Sequence, residues 1–381
     1  MTEQSIPLLS EIRISGLKSI KDASVQLGPI NILVGPNGGG KTNLLTALRM
    51  LGEIRDQRLA AFVAEHGGAS NMLHYGPKTT PAMSIGFDLL ADDGERLKYD
   101  ATLCHSHGDR LLFGEEEVSD KDSSACWSRW MNAGPCPPHE SAFLRDHEPL
   151  ARRPGYVAAD FIRGIQYYHF HDTSLSSPMR TNCSQADAQR LRWDGSNLAV
   201  WLYWISKCKD ESHVANWTYF TGLVRMVAPF VDELIPRLVV PHMGEASAIR
   251  LYWRDKLGYQ FDVNELSDGT LRAIAVFAAL VQPYNVRPTL VVLDEPELGM
   301  HPSAIGLLGE LIRSSSARSQ VVVATQSSSL IDHFEPGEVL ITEQFGGLSR
   351  FGRLELGELR DWLEEYSLSQ LYDMNVLGGR L

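Results

Sequence analysis

Gly35-Pro36-Asn37-Gly38-Gly39-Gly40-Lys41-Thr42 constrains this chain more than any other segment, because it lies between an apolar run, Ile30 to Val34, and a run with helical spacing, Leu44, Leu48 and Leu51. Strand, glycine-rich turn and helix in that order predict a phosphate-binding loop. Its glycines let backbone N–H groups turn inward on phosphates, and the helix N-terminus adds its positive end. Lys41 is expected to reach the terminal phosphates of a nucleoside triphosphate, and the Thr42 hydroxyl to hold Mg2+. The expected nucleotide contacts run from Gly35 to Asn43.

The last third of the chain supplies the scaffold such a loop uses. A helix after Ser267 places Leu271, Ile274, Ala275 and Ala278 on one face, Thr289 to Leu293 and Gln320 to Ala324 read as almost wholly apolar strands, and Ser303 to Ile312 reads as a helix between them. Apolar strands alternating with helices predict a mainly parallel α/β sheet covered by helices. Leu290-Val291-Val292-Leu293-Asp294-Glu295 sets two carboxylates at the C-terminal end of a buried strand, where ligands bind in open α/β sheets. Asp294 is the candidate magnesium partner of the loop, and Glu295, one residue on, the candidate base for an attacking water. Upstream, Leu266-Ser267-Asp268-Gly269-Thr270 opens a helix with a hydroxyl and a glycine N–H. That is either plain capping by Ser267 or a second anion site built from Ser267 and Gly269.

Composition removes several function classes. Thirty-five Lys and Arg against 47 Asp and Glu give a net charge of -12, the wrong sign for a chain that simply coats nucleic acid or anionic membrane. DNA contact is therefore expected to be local. The N-terminus lacks a basic start with a continuous apolar stretch, and no run approaches the length of a membrane span, so a cytoplasmic protein with no membrane contact is expected. The five cysteines have no paired spacing, which suits free thiols. Cys104, His105, His107, Cys126, Cys136 and His139 are read as scattered residues rather than a zinc site, since the short Cys-x-x-Cys pairs are missing.

Four regions are expected: an N-terminal nucleotide lobe over 1–90, an inserted middle lobe of mixed α/β structure over 91–255, the rest of the nucleotide-binding core over 256–345, and a tail over 346–381 packed on the core. Strands are predicted at Glu11 to Ser15, Ala23 to Leu27, Met83 to Leu89 and Ile165 to Phe170, and a helix over Asn197 to Ser206. Ala91 to Pro154, rich in Gly, Pro, Ser and charge, is expected to be loops and short elements.

With the order phosphate loop, long segment, Ser-x-Gly helix start and acidic strand in place, the chain resembles the ABC-type ATPase head of the SMC, RecF and overcoming-lysogenization-defect ATPases. It looks most like stand-alone bacterial RecF-like, AAA-type predicted ATPases. Met300-His301-Pro302 after the acidic strand and Thr325-Gln326-Ser327 at the end of the next strand carry the resemblance further, as do His169-Phe170-His171-Asp172-Thr173-Ser174, Asp194-Gly195-Ser196-Asn197-Leu198 and the tail from Trp362 to Arg380. The resemblance makes Leu266 to Thr270 the signature motif, and implies a large globular insertion between the loop and that signature, with ATP and Mg2+ as ligands. It also implies a head-to-tail homodimer in which Lys41, Thr42, Asp294 and Glu295 of one subunit face Ser267 and Gly269 of the other across ATP. Gln326 stands where most relatives carry a switch histidine. An amide still donates a hydrogen bond but carries no charge, so slow ATP hydrolysis is expected, with Glu295, Lys41 and Gln326 as the catalytic set. Asp268 and Thr270 depart from the transporter pattern, a carboxylate beside a phosphate being expected to tune binding, and Gly299 replaces a common Ser. For the glutamine that links nucleotide to middle lobe, Gln166 and His171 are both candidates.

The resemblance suggests an ATP-dependent dimerising switch in DNA metabolism or anti-phage defence. The alternative is a regulatory scaffold that holds or releases a separate effector such as a nuclease, without itself acting on DNA. The roughly 55 residues after Gln326 are too few for a fused nuclease domain, so an effector encoded nearby is expected to act in trans. Arg145, Arg152, Arg153, Arg163, Arg180, Arg190 and Arg192 are candidates to face phosphates, diluted by Asp146, Glu148, Asp160, Asp172 and Asp187. A transporter subunit is disfavoured by the roughly 220 residues between loop and signature.

Overall fold

The computed structural model describes residues 7–91, 94, 96–120, 126–127, 141, 154–187, 190–239, 247–283 and 286–377. β1 (Leu8–Leu17) and β2 (Ile20–Gln26) form a hairpin, after which β3 (Ile30–Val34) leaves for a second sheet. β4 (Ala82–Leu90), β5 (Arg96–Ser106), β6 (Arg110–Asp120) and the short β7 (Cys126–Trp127) complete the first sheet, antiparallel throughout in the order β2-β1-β4-β5-β6-β7. β5 and β6 correct the expectation of loops and short elements after Ala91: each is eleven residues long. In β5 the alternating Leu97, Tyr99, Ala101 and Leu103 are buried, which outweighs the polar residues between them. The rest of that region, 121–153, lies almost wholly outside the described residues.

The second sheet is the parallel one predicted for the core. β8 (Ile165–Tyr168), β13 (Leu290–Asp294), β14 (Gln320–Thr325), β3 and β15 (Val339–Phe345) run parallel, and β16 (Leu348–Arg353) pairs antiparallel at the β15 edge. Alternate residues of its strands divide between two cores. Leu33, Leu290, Val292, Val322 and Ala324 face one, while Ile32, Val34, Val291, Leu293, Val321 and Val323 face the other. The first core is closed by α1 (Lys41–Arg55), α2 (Leu59–Glu65), α3 (Ala69–Met72), α4 (Pro154–Arg163) and the antiparallel sheet. The second is closed by α5 (Leu198–Lys207), α6 (Glu211–Val227), α7 (Asp268–Leu280), α8 (Pro302–Ser316), α9 (Ser328–Ile331) and α11 (Leu368–Asp373), which follows α10 (Leu356–Leu363). A third sheet, β9 (Cys183–Ser184), β10 (Val231–Val239), β11 (Ala248–Asp255) and β12 (Gln260–Asp262), joins that core through Ile249, Leu251 and Trp253.

The topology crosses the divisions drawn by residue number. β5 and β6, inside 91–255, extend the sheet begun by β1 and β2; β8, also inside it, is an edge strand of the parallel sheet; and β16, inside 346–381, is the opposite edge. Among the described residues no helix is long and apolar enough to cross a membrane.

Candidate nucleotide site

β3 is buried along its whole length between β14 and β15, so the glycine loop leaves the C-terminal edge of the parallel sheet and feeds α1 directly. Two glycines seat it. A Cβ on Gly35 (φ +154) would overlap the carbonyl and hydroxyl oxygens of Thr342 on β15, and a Cβ on Gly40 (φ +112) would overlap the Ser349 hydroxyl on β16. The Gly39 amide donates to Pro36 O at 3.0 Å, while Asn37 and Gly38 form an exposed tip. Asn43 is turned inward: its amide donates to Gly40 O at 3.0 Å and its Nδ2 to Ser19 Oγ, which lies 2.6 Å from Ser349 Oγ. The β15–β16 hairpin is therefore the floor of the loop, a support that sequence reading missed.

Lys41 is 7% exposed and its Nζ donates to the carbonyl oxygens of Gly35 and of Pro36, the latter at 3.1 Å. Burial lowers its pKa, and the charges of Glu295, Asp294 and Glu297 act in the opposite direction. The loop and the acidic strand end thus share one field. Thr42, exposed beside Lys41, presents its hydroxyl on the first turn of α1.

β13 ends at Asp294, whose Oδ2 accepts from the Tyr167 hydroxyl at 3.2 Å and lies 3.4 Å from His169 Nδ1. Asp294 raises the pKa of His169 against the opposing effect of burial. Both partners come from β8 and the residue just past it, the strand next to β13. The chain then turns through Glu295 at φ +47, a left-handed conformation unusual for a residue with a side chain, held by a bond from its amide to Ala324 O at 2.8 Å. This turn brings Glu295 Oε1 to Gln326 Nε2, which donates to it at 2.5 Å from the end of β14. Glu297 is buried, with Oε1 accepting from the Thr325 hydroxyl and Oε2 without a partner among the described residues, and burial pushes its carboxyl above the ordinary carboxylate range.

Gln166 does not reach this site. Its Oε1 is inside the protein, accepting from Gln282 Nε2 at 3.0 Å and from the Tyr168 hydroxyl. The alternation of β8 sends Tyr167 to the acidic end and Gln166 to the other face. His171, the other candidate, is exposed and stacks on His169 with ring centroids 5.5 Å apart.

At the start of α7, Ser267 Oγ accepts from the Thr270 amide at 3.3 Å and lies 2.8 Å from the Thr270 hydroxyl, so within one subunit it caps the helix. Gly269 is required for a close approach: a Cβ there would overlap the carbonyl oxygen of Gly299. Asp268 is paired with Arg180 at 2.8 Å, which offsets the carboxylate charge expected to tune phosphate binding. Arg180 is 3% exposed and also donates to carbonyl oxygens of Thr173, Val263 and Leu266. It is thus not one of the arginines that face solvent. Arg272, equally buried on α7, donates to Phe170 O, His171 O and Leu298 O. It ties α7 to both the β8 extension and the loop after Glu297. Arg145, Arg152 and Arg153, with Asp146 and Glu148, lie outside the described residues, as do the side chains of Cys126, Cys136 and His139.

The donors fit a nucleotide and a hard cation. Glycines whose missing Cβ atoms let the backbone pack closely, a lysine at the loop and a hydroxyl with a carboxylate are the groups a phosphate–magnesium pair uses. Among the described residues no three His, Cys, Asp or Glu side chains gather to hold a metal alone. Mg2+ here would take its remaining ligands from phosphate and water.

Two family models match the two ends of the chain: one described as "AAA domain" over residues 11–51, and one described as "AAA domain, putative AbiEii toxin, Type IV TA system" over residues 240–332. None of the curated proteins matches this sequence. Among solved structures the fold is similar to an Smc head bound to the C-terminal winged-helix domain of ScpA, with TM-score 0.60 and 13% identity over 93% of this chain and 100% of that one. It is also similar to a Pyrococcus furiosus Smc head bound to the C-terminal domain of ScpA, with TM-score 0.56 and 14% identity over 94% of this chain and 99% of that one. A Pyrococcus yayanosii Smc head with coiled coil and joint gives TM-score 0.51 and 11% identity, covering 94% and 99%. In fold, then, the chain is similar to SMC head domains, and its two ends match AAA-domain models.

Proposed function

We propose that the protein binds ATP with Mg2+ at the loop between β3 and α1 and hydrolyses it slowly within a head-to-tail homodimer. The carrying observation is the Glu295–Gln326 hydrogen bond at the ends of adjacent strands, next to Asp294 and within the field of Lys41. Glu295 takes the proton of the attacking water, Gln326 fixes the carboxylate's direction, and Lys41 exchanges its loop carbonyls for the terminal phosphate. Thr42 and Asp294 would hold magnesium, which when bound would supply charge neutralisation on the phosphates. An amide at position 326 transfers no proton, which supports slow turnover.

The composite site is supported by the exposure of Ser267 at the start of α7, where among the described residues its hydroxyl meets only Thr270. Ser267 and Gly269 of one subunit complete the phosphate contacts of the other. The test is complementation. Lys41→Ala and Ser267→Arg are each inactive alone, and mixing them restores up to about a quarter of wild-type hydrolysis, because random pairing makes half the dimers mixed and each has one intact site. No rescue, with mixed dimers demonstrated, contradicts the shared site.

The setting we propose is DNA metabolism or anti-phage defence, supported by the SMC-head likeness and the toxin-system description of the matched family. A second reading, an ATPase that holds or releases a separate effector protein, is favoured by the two similar heads bound to a ScpA domain. ATPase rates with and without DNA, beside a pull-down with the neighbouring gene products, separate the two.

A further inference from the structure

A cleft of about 640 Å³ opens between the C-terminal half of α1, the start of β8, Asp187 and residues 190–193, a volume within the range of small-ligand sites. It is distinct from the phosphate loop: Gly52, in its wall, lies twelve residues beyond Gly40, or roughly 18 Å along α1. Six arginines line it against three carboxylates. Asp187, Asp56 and Glu53 each lie within ion-pair distance of an arginine, Arg192, Arg55 and Arg49 respectively. Among the described residues no carboxylate lies within ion-pair distance of Arg163 or Arg190, although the charge of Asp56 reaches Arg190.

The arginines converge. Arg55 and Arg190 both donate to the main-chain carbonyl oxygen of Arg163, Arg190 at 2.7 Å, which gathers three cationic residues around one backbone group. Arg190 is exposed at the cleft mouth, yet partial desolvation of its guanidinium and the like charge of Arg55 push its pKa down against the opposing charge of Asp56, so an anion placed among them relieves a repulsion already present. Beside this cluster Arg49 lies 4.5 Å over the ring of Trp193, and the indole remains 42% exposed. Guanidinium forks match phosphate oxygens in pairs, and an exposed indole backed by a cation offers a stacking face to a planar base. An acidic peptide would use the first feature and leave the second idle.

We propose that this cleft binds a nucleoside phosphate, phosphate among Arg55, Arg163 and Arg190 and base on Trp193, taken either as a free nucleotide or as the 5′-phosphorylated end of a nucleic-acid strand. The wall residue Tyr167 donates its hydroxyl to Asp294, so the cleft touches the acidic strand end. That link rests on the ATPase reading above; the binding does not.

The test is equilibrium binding to the full chain of dTMP, of short oligothymidine with and without a 5′ phosphate, and of oligo-aspartate, in wild type and in Lys41→Ala. Lys41→Ala separates this site from the phosphate loop and is expected to bind as wild type does. Arg190→Glu and Trp193→Ala, both at exposed positions, should each weaken binding at least about tenfold with unchanged thermal melting, and Arg190→Lys should retain part of it. Binding of dTMP as tight as that of the phosphorylated strand assigns the free nucleotide. Binding of the phosphorylated strand with dTMP about tenfold weaker assigns the strand end. The proposal is overturned if the strand binds equally without its 5′ phosphate, if oligo-aspartate binds as well, if binding is lost in Lys41→Ala, or if Arg190→Glu and Trp193→Ala bind normally.

Discussion

At the scale of single residues, the candidate site is defined by which side chains the strand ends bring together. Asp294 and Glu295 were legible because two carboxylates after an apolar run have few structural uses, but their partners were not. Tyr167 on β8 and His169 just past its end lie more than a hundred residues away in sequence, and only the pairing of β8 with β13 makes them neighbours of Asp294. Arg180 illustrates the same limit: its residue type suggested a solvated or phosphate-facing charge, whereas three carbonyl oxygens and Asp268 satisfy it in the interior. If Gln326 orients Glu295, Gln326→Ala lowers kcat about tenfold, near 1.4 kcal/mol, with ATP affinity unchanged. A rate equal to wild type in stopped turnover assays removes Gln326 from the catalytic set. Glu297 gives a pH prediction. Its folded pKa is raised above the ordinary 4.5, so no penalty exists well below that value. As pH climbs past it the unfolded chain loses its proton first, and stability falls until the raised folded value is passed. Melting temperatures of Glu297→Gln across that interval should lack the decline, and parallel curves for the two proteins would refute the assignment.

At the scale of elements, the strand–loop–helix unit and the α7–β13–α8–β14 series followed from apolar periodicity, since strands buried on both faces leave no polar alternation to confuse with helix. The β15–β16 hairpin escaped notice although it carries a turn signal. Gly346 and Gly347, both at positive φ, join two short runs with strand residues. Its importance lies in what it touches, Gly35 and Gly40 of the phosphate loop, and no local pattern reports that. The signature helix has a similar hidden constraint. Gly269→Ala must push the start of α7 away from Gly299, and a loss of about 1 to 3 kcal/mol is expected from such overpacking. Gly222→Ala on α6, where a Cβ meets nothing within 4 Å, is the control and should gain about 0.4 to 1 kcal/mol. Denaturant midpoints for the two variants check both signs, and equal stability would mean that the Gly269–Gly299 approach is not required.

At the scale of the whole molecule, the parallel sheet divides the protein into two cores, and the two halves of the proposed phosphate machinery lie on different ones. α1, which begins at Lys41, packs in the core shared with the antiparallel sheet, while α7, which begins after Ser267, packs in the other with α5, α6 and α8. A second subunit arranged head to tail would set the α7 end of one protomer over the loop of the other, and ATP would be the material between them. The net charge of -12 opposes association of two copies, so in the proposed dimer the contacts made across the nucleotide would have to outweigh that repulsion. Glu295→Gln keeps every phosphate contact and removes the base, and should trap that state. Light scattering on Glu295→Gln tests it most directly: the account predicts a monomer mass without nucleotide and a doubled mass with ATP and Mg2+, whereas a mass indifferent to ATP, with hydrolysis at the wild-type rate, would contradict both the base and the ATP-joined dimer.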